Sequence, residues 1–167
     1  MLDPKGEGYK KNACYIPEHY QVFCVDFRNP RKSPTKWNPV TTPHRLFCSK
    51  DPDDNDIASS MLSELWNGVY PYDGHSDKFW TDASVNYAKG LTYGLFETAG
   101  KENINLDSVA VMMEQSEVRF GGPNNTLLKE FYEHLPLDSL AKRNLATYVT
   151  APNETRTKKR YCLKQYP

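Results

Sequence analysis

Asp51-Pro52-Asp53-Asp54-Asn55-Asp56, followed by Ile57, Met61, Leu62, Leu65 and Trp66, is the stretch on which the fold turns. A proline is tolerated in the first turn of a helix, where its missing N–H would have no partner. Carboxylates there favour the positive end of the helix dipole. The apolar residues then recur at helical spacing, which predicts a helix from about residue 51 that Gly68 and Pro71 stop. The aspartates do not form a calcium loop. Counted from Asp51, such a loop needs Gly at the sixth position and Glu at the twelfth, where the chain has Asp56 and Leu62.

The same periodicity continues downstream. Ser76 or Asp77 caps a second helix with Phe79, Trp80, Ala83, Tyr87, Leu91 and Leu95 on its apolar face, ending at Gly100. Gly90 and Gly94 stand four apart on it, so another backbone can approach closely there. Asn105 or Asp107 starts a third helix, with Val109, Met112 and Met113 as its core residues. Gly121-Gly122-Pro123 is a break. Asn124 or Asn125 caps a fourth helix bearing Leu127, Leu128, Phe131 and Leu135, and Pro136 and Asp138 open a fifth with Leu140, Leu145 and Tyr148. About five short helices joined by short loops predict a compact all-α domain over residues 51–150.

Residues 1–50 read differently. They hold six of the twelve prolines and one strand-like stretch, Gln21-Val22-Phe23-Cys24-Val25-Asp26-Phe27, nearly continuous in β-favouring residues. A lone strand is not stable, so this part reads as a fragment of an α/β domain with one or two strands. The overall fold class is therefore mainly α, preceded by an α/β fragment. Residues 151–167 form a basic tail. No apolar run is long enough to span a bilayer, and no signal peptide is expected from the first residues.

Charge sorts the chain in the same way. Residues 1–50 carry nine Lys/Arg against four Asp/Glu, a net +5. Residues 51–140 carry five against sixteen, a net −11, and residues 141–167 carry seven against one, a net +6. The acidic middle repels phosphates and suits a basic or neutral protein partner. Nucleic acid would have to meet the ends: Lys10, Lys11, Arg28, Arg31, Lys32, Lys158, Lys159 and Arg160.

Chemistry-bearing motifs are sparse. No G-x-x-x-x-G-K-[ST] loop exists, so the chain is not expected to hydrolyse ATP by itself. The four cysteines make no CxxC pair, and the four histidines are scattered, so no metal site is expected. Cys48 and His44 could meet in space, but nothing supports a nucleophile pair. No enzyme is predicted.

Three short markers occur in a telling order: Asp3-Pro4-Lys5-Gly6-Glu7, the Val22–Phe27 stretch and Trp37-Asn38-Pro39. The acidic Asp53-Asp54 start and Asp77-Lys78-Phe79-Trp80-Thr81-Asp82-Ala83 follow. In this order the chain resembles type IV coupling proteins, the TraG-type ATPases of conjugation and type IV secretion, over about residues 1–157. In that family the D-P-K-G-E motif follows the P-loop, and W-N-P leads into an inserted all-α domain. The resemblance implies a membrane-anchored hexamer that uses ATP and Mg to deliver a relaxase and its single-stranded DNA to a secretion channel. Its all-α domain, on the cytoplasmic side, is implicated in substrate recognition. This chain lacks the membrane helices, the P-loop and the Walker B strand, so Asp3, Lys5 and Glu7 are remnants of a nucleotide site and no cofactor is expected. The expected partners are a relaxase or another secreted protein, met through Asp53, Asp54 and Asp56, with single-stranded DNA and other coupling-protein subunits as further partners. A weak DNA-binding module using the basic ends is the alternative.

Overall fold

A computed structural model describes residues 6–26, 28–75, 77–119, 121–122 and 125–150. Among them are seven α-helices and three 3-10 turns, so the chain is mainly helical. It divides into two compact units, Met1–Trp37 and Asn38–Pro167.

The first unit carries α1 (Glu7–Asn12), which starts at Gly6 in the left-handed region at φ 71°. The strand expected at 21–27 is absent from the described residues. Gln21 to Asp26 have no ladder partner, and Val22, Phe23 and Val25 are exposed. A strand needs a neighbouring strand to bond its backbone in a ladder, and the described residues offer no such ladder. What orders the stretch instead is a serine. The Ser33 hydroxyl accepts from the Asp26 N–H at 2.9 Å and donates to the Thr35 carbonyl at 2.7 Å, while the Thr35 N–H reaches the Cys24 carbonyl.

The second unit holds α2 (Thr41–Ser49), α3 (Pro52–Val69), α4 (Lys78–Thr98), α5 (Leu106–Gln115), α6 (Leu127–His134) and α7 (Leu140–Val149). The helical unit thus takes in residues 38–50 as well, with α2 packed along α3. Pro43 does not break α2 because it lies in the first turn, where no N–H is required. The starts of the later helices follow side-chain caps. Asp51 accepts from the Asp53 N–H, Asp77 from Phe79, Asn105 from Ser108, Thr126 from Lys129 and Ser139 from Lys142. The fourth cap is therefore Thr126 and neither asparagine before it, and the last helix starts after Ser139 rather than at Pro136. Pro71, not Gly68, ends α3, since the helix runs through Gly68 to Val69.

α4 is the axis of the unit. Every residue from Tyr87 to Phe96 is buried, as expected of a helix surrounded on all sides. It packs against α3, α5 and α7. The core around it includes Leu62 and Trp66 of α3, Val109 of α5, Leu128 of α6 and Leu145 and Tyr148 of α7. Two positions on the expected apolar faces, Ile57 and Phe79, are about half exposed at 51% and 49%. Both sit in the first two turns of their helices.

α4 and α7 run antiparallel in a fixed register. The Tyr87 and Tyr148 rings stack with centroids 4.3 Å apart. A Cβ added at Gly90 would stand 2.7 Å from Leu145 Cγ and 3.1 Å from the Leu145 backbone nitrogen. At the far end, the Glu97 carboxylate accepts from the Ser139 hydroxyl and from the Leu140 and Ala141 N–H groups. It thereby satisfies the free donors at the start of α7 and places a negative charge at the positive end of its dipole.

The two glycines should therefore respond differently to alanine, which by helix propensity alone gains about 1 kcal/mol. At Gly90 the clash includes backbone of a fully buried residue, so overpacking of about 1–3 kcal/mol should outweigh the gain. At Gly94 the new methyl meets no backbone, only side chains: the edge of the half-buried Phe131 ring at 2.9 Å, which can swing aside, and the end of Met112 at an ordinary contact distance of 3.7 Å. Urea unfolding should show Gly90→Ala destabilised by about 1–2 kcal/mol and Gly94→Ala within about 0.5 kcal/mol of the parent. Equal effects would mean that the approach of α7 does not depend on Gly90.

Candidate functional site

The acidic residues expected to meet a partner stand at the start of α3. Asp53 and Asp56 are exposed and Asp54 is half-buried. Asp51 is the cap, with its Oδ1 2.9 Å from the Asp53 N–H. This first turn joins carboxylates to the positive end of the dipole, as the sequence pattern requires, and leaves two of them open to solvent. The Asp56 charge is felt inside the unit. Burial raises the Tyr93 pKa, with the Asp56 and Glu97 carboxylates pushing the same way and the Ser59 hydroxyl opposing.

Behind this turn lies a polar seam between α3 and α4. Ser59 and Ser63 are one turn apart on α3, and the Lys89 Nζ donates to both, at 3.1 Å and 2.8 Å. Lys89 is only 8% exposed, and among the described residues it forms no ion pair. Burial lowers its pKa, because hydroxyls replace water less well around an ammonium than around a neutral amine. One turn further, Trp66 Nε1 donates to the Thr92 hydroxyl at 3.2 Å, and that hydroxyl donates to the Ala88 carbonyl. The sequence does not mark Lys89 as a buried group. Its only signal is the i, i+4 spacing of the two serines.

The basic residues proposed for nucleic acid fall in the first unit and are exposed. Lys10 and Lys11 lie in the last turn of α1, and Arg31 and Lys32 in the Pro30–Lys32 turn. Arg28 is exposed beside them in sequence, its N–H bonded to the Asp26 carboxylate at 2.9 Å. Glu7 opens α1 and is exposed. Asp3, Lys5, Lys158, Lys159 and Arg160 lie outside the described residues.

His44 and Cys48 do meet, with His44 Nε2 3.4 Å from Cys48 Sγ on the exposed side of α2. Their i, i+4 spacing is visible in the sequence, but it carries weight only once residues 41–49 are helical. Burial and the Lys101 charge lower the His44 pKa, and its ring rests edge-on against Phe96 at 5.1 Å. A neutral imidazole stabilises a thiolate poorly, and no carboxylate orients the ring among the hydrogen bonds of the described residues. Cys14, Cys24 and Cys48 are free thiols. Among the described residues, no three His, Cys, Asp or Glu side chains stand close enough to hold a metal ion, and no helix is long and apolar enough to cross a membrane.

Comparison with protein-family models, curated protein sequences and solved structures gives no match to any of them.

The buried ammonium gives a pH signature. Its folded pKa lies below the ordinary lysine value of 10.5, so the folded state binds its proton less tightly than the unfolded chain. Its contribution to stability should rise with pH from the lowered value up to 10.5, and the penalty is fully present at neutral pH. Lys89→Met should raise stability at pH 7 by about 1 kcal/mol and flatten that rise. Denaturant unfolding of both proteins at pH 7 and 9.5 measures this. A variant less stable at pH 7 would show that the Lys89–serine bonds outweigh the desolvation of the charge.

Proposed function

We propose that residues 38–150 are the all-α domain of a type IV coupling protein, and that this domain recognises a relaxase or another secreted protein for delivery to a type IV secretion channel in conjugation. The observation that carries the reading is where the helical unit begins. It starts at Asn38, inside Trp37-Asn38-Pro39, which is where the resembled family passes into its inserted helical domain. The asparagine has a physical task there. Its Nδ2 donates to the Ile104 carbonyl at 2.6 Å and its Oδ1 accepts from the Val40 N–H, which ties the first residues of the unit to the loop before α5. Val40 and Pro43 are then buried against the core.

The first unit fits the same reading as a piece of the family's nucleotide-binding domain. Val22, Phe23 and Val25 favour a strand yet are exposed, as would be expected if their sheet neighbours belonged to other segments of the full protein. In such a protein this domain works on the cytoplasmic side of the cell membrane, and ATP and Mg serve the parts around it. The chain itself carries recognition, not catalysis. Its acidic stretch, net −11 over residues 51–140, favours a protein over free DNA. The exposed Lys10, Lys11, Arg31 and Lys32 supply the second reading, weak contact with single-stranded DNA.

The test is a titration of the whole chain against its labelled cognate relaxase, with single-stranded DNA as the parallel titrant, at low and high salt. Saturable relaxase binding is expected, with DNA binding far weaker. Replacing Asp53, Asp54 and Asp56 together by lysine should weaken relaxase binding about tenfold at low salt and less at high salt, with melting curves to confirm folding. DNA binding with a steep salt slope and no relaxase binding would replace the proposal with the second reading.

A further inference from the structure

α2 carries two metal-ligating side chains that the recognition role does not use. His44 and Cys48 stand four residues apart on it, so one helical turn places them on the same face, and His44 Nε2 lies 3.4 Å from Cys48 Sγ. The helix beneath them is anchored. Pro43 is buried, and the Phe47 ring packs against Tyr93 and Phe96 with centroids 5.9 Å and 5.7 Å apart. The His44 ring is half-buried and edge-on to Phe96, while Cys48 is exposed. One donor is therefore held in place by the core and the other opens to water.

Distance decides what such a pair can share. Zinc binds thiolate sulfur at about 2.3 Å and imidazole nitrogen at about 2.0–2.1 Å, so donors at two corners of a tetrahedron stand about 3.5 Å apart, and donors on opposite sides of a linear ion about 4.3 Å. The observed 3.4 Å matches the tetrahedral edge. The protonation state fits as well. Burial and the Lys101 charge lower the His44 pKa, and the neutral ring that stabilises a thiolate poorly offers a metal a free lone pair. The thiol is then the group that must give up a proton, which leaves to solvent as the Zn–S bond forms. Sulfur with imidazole also selects the metal, since calcium and magnesium take oxygen donors.

We propose that His44 and Cys48 form a two-ligand zinc site on the surface of α2, with water in the remaining positions. The site stands apart from the recognition role and does not rest on it. Zinc that holds a fold together is closed in by four protein ligands, and among the described residues no third His, Cys, Asp or Glu completes this site. The ion is therefore exchangeable, and the fold does not depend on it. The Lys101 charge felt at the ring opposes a cation, so the attraction comes from the thiolate.

Cobalt(II) is the probe, because it takes the place of zinc and absorbs strongly when a thiolate binds it. The whole chain, kept reduced, is titrated with cobalt(II) and then with zinc(II). A near-ultraviolet charge-transfer band should rise to saturation together with the visible bands of a four-coordinate ion, and zinc should bleach both. Cys48→Ser should abolish the charge-transfer band, and His44→Gln should weaken cobalt binding about tenfold or more, because the chelate is lost. Cys14→Ser and Cys24→Ser should leave binding as in the parent. Metal-free melting curves check that each variant folds. The His44 ring signals in the NMR spectrum need no change at His44 itself: zinc should shift them in the parent and leave them in place in Cys48→Ser. No charge-transfer band, a band that persists in Cys48→Ser, or His44 signals that zinc does not move would each overturn the site.

Discussion

The close approach of α7 to α4 at Gly90 is the constraint on which the helical unit depends. Three contacts fix the register between these two helices. The Tyr87–Tyr148 stack lies on one side of Gly90 and Leu145, and the Glu97 carboxylate bound to the first turn of α7 lies on the other. The order of the pairs alone makes the helices antiparallel. With α4 held on that side, its remaining faces are left for α3 and α5, and burial of the whole Tyr87–Phe96 run follows. α6 owes its position to the same arrangement. It sits between α5 and α7 in sequence and packs on α7, and on the α5 side the Leu127 and Leu128 N–H groups bond the carbonyls of Val118 and Ser116.

The two sides of α4 carry different chemistry. Towards α3 the seam is polar, with an ammonium held by two serine hydroxyls and an indole N–H held by a threonine. Each of these bonds fixes a relative position that a purely apolar seam would leave free to slide. Towards α5 and α6 the surface is mostly methionine, leucine and phenylalanine.

Much of this was legible in the sequence where a single residue acts locally. Asp51, Asp77 and Asn105 cap the helices they precede, because a capping side chain needs only the two or three residues after it. Gly90 and Gly94 mark crowding, because only a neighbour explains two missing side chains on a buried face. What stayed hidden depends on contacts distant in sequence. Pro39 and Pro43 obscure α2, whose apolar residues become informative only against α3. The exposure of Ile57 and Phe79 reflects where along a helix its neighbours stop, and an apolar stripe does not say that. Lys89 reads as a surface lysine until the serines of α3 are placed beside it. The strand-like stretch shows the opposite case, since its composition is right for a strand and the described chain gives it no partner.

The three tryptophans are built-in reporters of separate parts of the molecule. Trp37 closes the first unit and is 61% exposed, Trp66 is buried with its indole N–H on Thr92, and Trp80 stands half-buried at the start of α4 beside the Phe79 ring. Their emission should differ in colour for that reason, red-shifted where water reaches the ring and blue-shifted where it does not. Loosening of the core around α4 would move the Trp66 band and leave that of Trp37 nearly unchanged. The intrinsic fluorescence of the unlabelled chain can therefore follow its two units one at a time.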